Sequence, residues 1–137
     1  MILSQSNATA ALNAMVSDLG ASAQIIIYDG TAPAGPDTAL SGNSVLVTGT
    51  VSSWGTAAYD ATVGGMASVA TMTSSSYAPV LGAVATFARI VTSGAVAKQQ
   101  LTVGTSGTDV ILGNTTIQTG VNVDFTSVKI YVPSQSV

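Results

Sequence analysis

Residues 24–43 read QIIIYDGTAPAGPDTALSGN. Strand-forming residues through Tyr28 run straight into Asp29-Gly30, and Pro33, Pro36, Asp37 and Gly42 follow. Two carboxylates and three glycines in so short a span raise the question of a metal or phosphate loop. A phosphate loop needs a following helix and GxxxxGK or GxGxxG spacing, and neither pattern occurs. A calcium loop needs oxygen side chains at alternate positions, whereas Asp29 and Asp37 are separated by two prolines. Backbone punctuation accounts for every residue. Asp29-Gly30 ends a strand in a turn that glycine permits, and Pro33 and Pro36 keep the link extended. Asp37 is then placed to cap one short helical turn over 38–41, which Gly42 closes. The stretch reads as the edge of a β-protein.

Composition agrees with that reading. Val, Ile and Thr supply 43 of the 137 residues, while Leu, Met, Lys, Arg and Glu together supply 15, and Glu is absent. Branching at Cβ suits a pleated surface and costs rotamer freedom in a helix. Only nine residues carry charge: Arg89, Lys98, Lys129 and six aspartates. Soluble proteins ordinarily carry about a quarter. Ser and Thr, 35 in all, do the solvating instead. Three cations and a net charge of −3 argue against a nucleic-acid partner, whose phosphates demand clustered Lys and Arg. Surfaces so poor in charge repel one another weakly and lose little desolvation energy when covered, which points to a subunit of an assembly, with a Ser/Thr-rich extracellular domain as the alternative. The absence of Cys excludes a disulfide framework and is compatible with any redox compartment. The opening MILSQSNATAALNAMVSD is interrupted by Ser, Asn and Asp and carries no basic residue, so neither a signal peptide nor a membrane span is expected in it.

Working outward, one domain spans 1–137, with a helix over 6–20 and β-structure over 23–132. Ser6 or Asn7 is placed to cap the helix, Ala8, Ala11, Leu12, Met15, Val16 and Leu19 make its apolar stripe, and Gly20 stops it. The stripe is rich in Ala and needs a partner surface, either one end of the chain's own β-structure, the favoured reading, or a neighbouring subunit. After Gly20 come about eight short β-runs: 23–28, 44–51, 66–72, 83–91, 95–103, 109–113, 115–118 and 121–132. Turn signals separate them, among them Ser93-Gly94 and Thr119-Gly120. No helical pattern recurs, so the expected fold is a mainly β, antiparallel β-sandwich, jelly-roll-like, with one N-terminal α-helix. Ser93-Gly94 predicts a tight hairpin. In VNVDFTSVKIYV (121–132) the apolar phase slips between Phe125 and Val128, which predicts a bulge near Thr126-Ser127.

The run IYDGTAPAGPDTALSGN resembles a motif common in small proteins of tailed bacteriophages, in which a strand ending in Tyr-x-Gly-Thr precedes a Pro/Ala loop and an Ala-Leu-x-Gly turn. ATFARIVTSGAVAKQQLTVGTSGTDVILGNTTIQTGVNVDF resembles the second half of the same family. The resemblance covers roughly 24–45 and 83–132 and rests on glycines and turns. It implies a virion structural protein on the capsid exterior, a decoration or cement protein whose partner is the major capsid protein. A homo-oligomer is expected, with a tail- or neck-associated protein as the alternative. Residues 52–82 match no motif.

Catalysis is not expected. There is no His, Cys or Glu to serve a nucleophilic Ser or Thr, or to bind a soft metal, and the six aspartates lie in six separate segments. No cofactor is expected. Trp54, Tyr59 and Tyr77 are candidate partner or sugar contacts, since exposed aromatics stack on sugars, although Trp54 as a plug at one end of the fold is favoured. Arg89 lies mid-strand on the face of Phe87 and Val91. It is either a snorkelling edge residue or, if covered, an ion-pair partner of Asp124 or Asp109.

Overall fold

The β-branched runs become strands in the computed structural model, which describes residues 1–136. The order is α1 (Gln5–Leu19), β1 (Gln24–Tyr28), β2 (Val45–Trp54), β3 (Ala58–Asp60), β4 (Gly65–Met72), β5 (Ser76–Tyr77), β6 (Ala83–Val84), β7 (Phe87–Val91), β8 (Ala97–Gly104), β9 (Val110–Leu112), β10 (Thr116–Ile117) and β11 (Val123–Pro133). The chain is mainly β with one N-terminal helix, as its composition requires. The run over 83–91 is broken at Ala85-Thr86, where the Thr86 N–H turns to the Tyr28 carbonyl. Its first part pairs with β10 in a separate two-stranded ribbon and its second joins the main sheet.

The expected sandwich is corrected to a closed barrel. Seven strands run β4-β2-β1-β7-β8-β9-β11, and β11 pairs back onto β4 through Lys129–Pro133 and Gly65–Val69. One apolar face per strand is what a sandwich and a barrel have in common. The length of β11 decides between them, because it offers both edges to partners. One edge takes β9; the other takes β4 along its upper half and β5 along its lower. Closure leaves the seven-stranded ring without a free edge. The sheet is also not wholly antiparallel, since β8 and β9 pair in parallel at Val103–Val110 and Gly104–Ile111. The Asp109 carboxylate fixes that short arch by accepting from the Thr102 N–H and hydroxyl, at 3.1 Å each.

Inward residues form one core: Ile25, Ile27, Ile90, Val110, Val128 and Ile130 are essentially inaccessible. The predicted phase slip is present as a register shift between Phe125 and Ser127, which lets Phe125 and Val128 both point inward. The 92–96 hairpin forms, but not on Gly94. The Ala95 N–H donates to Thr92 O and the Thr92 N–H to Val96 O, both at 2.9 Å, and the left-handed residue is Ala95, φ +64°. A three-residue loop puts that strain one position after the glycine. Ala95→Gly is therefore expected to stabilise the domain by about 0.5–1 kcal/mol, a rise of roughly 2–4 °C in a thermal melt.

The helix is capped two or three residues earlier than Ser6 or Asn7 would place it. The Ser4 hydroxyl accepts from the Asn7 N–H at 3.2 Å, and Gly20 ends the helix at φ +71°. Ala8, Leu12 and Leu19 are buried and Met15 and Val16 half-buried against the barrel's own β4 and β11. Asp18 reaches Lys98 on β8 at 3.1 Å. The helix thus covers one mouth of its own barrel, where β2 ends and β4 begins.

Candidate functional site

The stretch 29–44 is a strap laid over the outer face of β1, β7 and β8. Its ends are tied together. The Asp29 backbone N–H donates to the Ser44 carbonyl, and the Asp29 carboxylate accepts from the Ser44 N–H at 2.6 Å. Asn43 donates to the carbonyls of Asp29 and Thr31 at 2.8 and 3.0 Å. Gly30 sits at φ +76°, where a Cβ would come within 3.0 Å of the Asn43 amide nitrogen, and Gly42 sits at φ +70°. Gly120, at φ +87°, likewise supplies a turn no other residue adopts readily. Gly94 does not.

The helical turn expected over 38–41 is absent. The turn lies earlier, with the Thr38 N–H donating to Gly35 O at 3.1 Å, so that Pro36 and Asp37 are its central pair. Pro36 presets the backbone angle that this position needs. Asp37 stays exposed in the turn and caps no helix.

Arg89 explains why the strap takes this path. It is 5 % exposed, and its Nη2 donates to the carbonyls of Gly35 and Thr38 at 3.0 and 2.6 Å. Its Nε donates to Gln100 Oε1 at 3.2 Å, while Gln100 Nε2 donates to Pro33 O at 2.7 Å. Arg89 and Gln100 are register partners on β7 and β8, so the two side chains act as one clamp. The expected ion pair with Asp124 is corrected by this geometry. Asp124 lies on β11, three strands further round the ring, and Asp109 is engaged by Thr102. Tyr28 stacks on Phe87 beneath the strap, ring centres 5.1 Å apart, and burial pushes its phenol up against the opposing pull of the Arg89 charge.

The three candidate contact aromatics do not converge. Tyr77 is a structural pin: its hydroxyl donates to Thr50 O at 3.1 Å, accepts from the Ser74 N–H at 3.0 Å, and its ring meets Phe125 edge-on. Tyr59 pairs with Met66 near the helix end. Trp54 is half-buried beside Thr9, Asn13 and Val16 of the helix, plugging that mouth as expected. Its Nε1 is the one buried side-chain polar atom among the described residues with no partner.

All three cations are engaged internally. Lys98 holds Asp18, Arg89 holds the strap, and Lys129 meets Asp60 at 2.7 Å. The Lys129 ammonium, helped by the Thr62 hydroxyl and N–H, holds the Asp60 carboxyl at about 2, below its ordinary 3.8. A lowered folded-state value contributes stability that is present above pH 3.8 and disappears as pH falls through about 2. Asp60→Asn is expected to remove that part of the acid transition while lowering the neutral-pH melting temperature. Melts of both proteins between pH 5 and pH 2 check it, and an unchanged acid slope would count against the pair.

Exposed apolar side chains gather at both ends of the barrel, Met1, Ile2 and Val96 at the helix end and a second group at the mouth opposite it. Val80, Leu81, Val84 and Val121 are 71, 44, 55 and 58 % exposed, and Val45 is 40 % exposed. They belong together in space: the Val80 N–H donates to Leu46 O, Val84 pairs with Thr116, and the Val121 N–H donates to Gln118 O. A recess of about 280 Å³ beside them is lined by Asn114, Ile117, Val121 and Asp124. This mouth was not legible in the sequence, because each valine sits in or beside a run that reads as ordinary strand.

Nothing among the described residues groups three or more His, Cys, Asp or Glu side chains as a metal site, and no helix is long and apolar enough to cross a membrane. No family model, curated protein or solved structure matches the chain.

Proposed function

We propose that this chain is a non-enzymatic structural subunit of a tailed-phage virion. It binds the exterior of the capsid shell as a decoration or cement protein, with the major capsid protein as its partner and further copies of itself as neighbours. The observation that carries the reading is the surface. Each of its three cations has a partner within the chain, its solvation rests on Ser and Thr, and one barrel mouth presents a group of exposed valines. Such a surface loses little when covered and has apolar area to bury. The resemblance of 24–45 and 83–132 to small phage structural proteins supports the virion setting. A surface with no free cation also supports the absence of nucleic acid among its partners. A sugar-binding module has less support, because Trp54, Tyr59 and Tyr77 form no common platform and Tyr77 is engaged internally.

Gel densitometry of purified virions tests the assignment. A copy number comparable with that of the shell protein is expected, whereas a handful of copies would move the protein to the tail or neck. Attachment by burial also predicts indifference to salt. Raising NaCl from about 0.05 to about 1 M, which shortens the Debye length severalfold, should leave the protein on the particle. Release by salt alone would contradict attachment by burial.

A further inference from the structure

We infer that the outer wall of the barrel carries a saccharide site, in the recess between the 60–64 turn and the 105–109 arch. The site goes beyond shell attachment and uses none of Trp54, Tyr59 and Tyr77. Alternation along β11 builds its floor. Val128 and Ile130 point into the core, so Lys129 and Tyr131 point outward. The ladder between β11 and β9 ends at Val128–Val110, and the Lys129 N–H donates to Asp109 O at 3.0 Å. Tyr131 therefore lies past the end of β9, where the sheet steps down beside the arch. The recess left there is about 530 Å³, a volume ordinary for small-molecule sites. Thr62, Thr102, Thr108, Asp109, Lys129 and Tyr131 all contribute to its lining.

The walls are fixed without any ligand, so little ordering is lost on binding. Asp60 Oδ1 accepts from the Thr62 N–H and hydroxyl, and Asp60 Oδ2 accepts from Lys129 Nζ. Across the recess, Asp109 Oδ2 accepts from Thr102, and the Thr108 hydroxyl donates to Val110 O at 2.7 Å. Hydrogen-bonding capacity is nevertheless left over on both sides. Asp109 Oδ1 has no partner among the described residues, and Lys129 spends one of its N–H donors on Asp60. Tyr131, 37 % exposed, is the one aromatic side chain in the lining. A neutral polyhydroxylated ring matches this set. Its C–H face covers an aromatic ring, and each hydroxyl both donates and accepts.

Other ligand classes meet a mismatch. A phosphate would sit beside Asp109 and Asp60, with Lys129 already neutralised by Asp60. A calcium ion takes roughly six or more oxygens, and Asp109 offers one uncommitted carboxylate oxygen. An apolar segment of a partner protein would find two half-buried aliphatic side chains, Val63 and Ile111, among hydroxyl and charged groups.

Proton–nitrogen NMR of the isolated full chain tests the site independently of any particle. The probes are D-glucose, D-galactose, L-rhamnose and N-acetyl-D-glucosamine, each titrated separately. At least one is expected to give saturable shifts, with a millimolar Kd, at the amides of 62–63, 107–111 and 129–131. Tyr131→Ala should weaken that binding by roughly tenfold, and Tyr131→Phe, which keeps the ring, by about twofold at most. Thermal melts establish that each variant is folded. Tyr131→Thr, whose branched side chain suits a strand, replaces Tyr131→Ala if the latter melts low. No shifts from any of the four sugars, or shifts centred on Trp54 or on the valine mouth, would overturn the inference. So would parental affinity in Tyr131→Ala or Tyr131→Thr, or the same shifts produced by sodium phosphate or calcium chloride. Copy number on virions is read separately, so the saccharide site and the virion assignment can fail one without the other.

Discussion

Gly65→Ala is expected to destabilise the protein by about 3 kcal/mol or more, a loss of roughly 10 °C in melting temperature. Gly65 opens β4 at the seam where the barrel closes on β11, opposite Pro133. A Cβ there would run into the Val132 carbonyl oxygen and would lie 2.8 Å from the Pro133 Cα. Both obstacles are backbone, so no side-chain rotation relieves them. The two strands must part, and with them the hydrogen bonds that make the sheet a ring. Gly35→Ala is the matched control, because a Cβ at Gly35 meets nothing within 4 Å. That variant should melt within about half a kcal/mol of the parent, as surface substitutions usually do. A Gly65→Ala protein with the parent's melting curve would mean that the β4–β11 seam is not closed in solution.

Leu12→Ala carries the second large effect, about 2–5 kcal/mol. Leu12 is fully buried between the helix and its own barrel, with Ala8 and Leu19 in the same contact. A 15-residue helix is marginal in water by itself, so its order depends on this packing. Deleting residues 1–20 should cost more than Leu12→Ala, because it also uncovers Trp54 and the mouth that the helix closes. Paired melts and particle-binding measurements separate the two roles a helix of this kind can have. Stability should fall first. A truncated chain that melts like the parent but no longer binds particles would make the helix an assembly arm instead.

Much of this was written locally in the sequence. Each of the eight expected β-runs overlaps a strand, with β3 and β5 falling outside them, Gly30, Gly42 and Gly120 occupy left-handed turns, and the slip after Phe125 is a bulge. These features are set by neighbours a few residues apart, where alternation and turn chemistry operate. What was illegible depends on residues far apart in the chain. Barrel closure needs the edge of β4 to meet the edge of β11, and nothing in either strand states which edge it will meet. Arg89 could be read as a cation in need of a carboxylate, but its actual acceptors are backbone carbonyls more than fifty positions away. The parallel arch of β8 and β9 follows a Ser106-Gly107 signal that looks like any hairpin turn. Gly94 shows the same limit at short range, since loop length moved the left-handed residue to Ala95. The valine mouth is the extreme case. Its members come from β2, the 78–82 link, β6 and the approach to β11, and only the closed ring brings them to one rim.

A reconstruction of the virion at side-chain resolution tests the central claim most directly. The account predicts this barrel on the outside of the capsid shell, in a copy number comparable with the shell protein. Density for the barrel confined to the tail or neck, or a particle shell with no such density, would contradict the account.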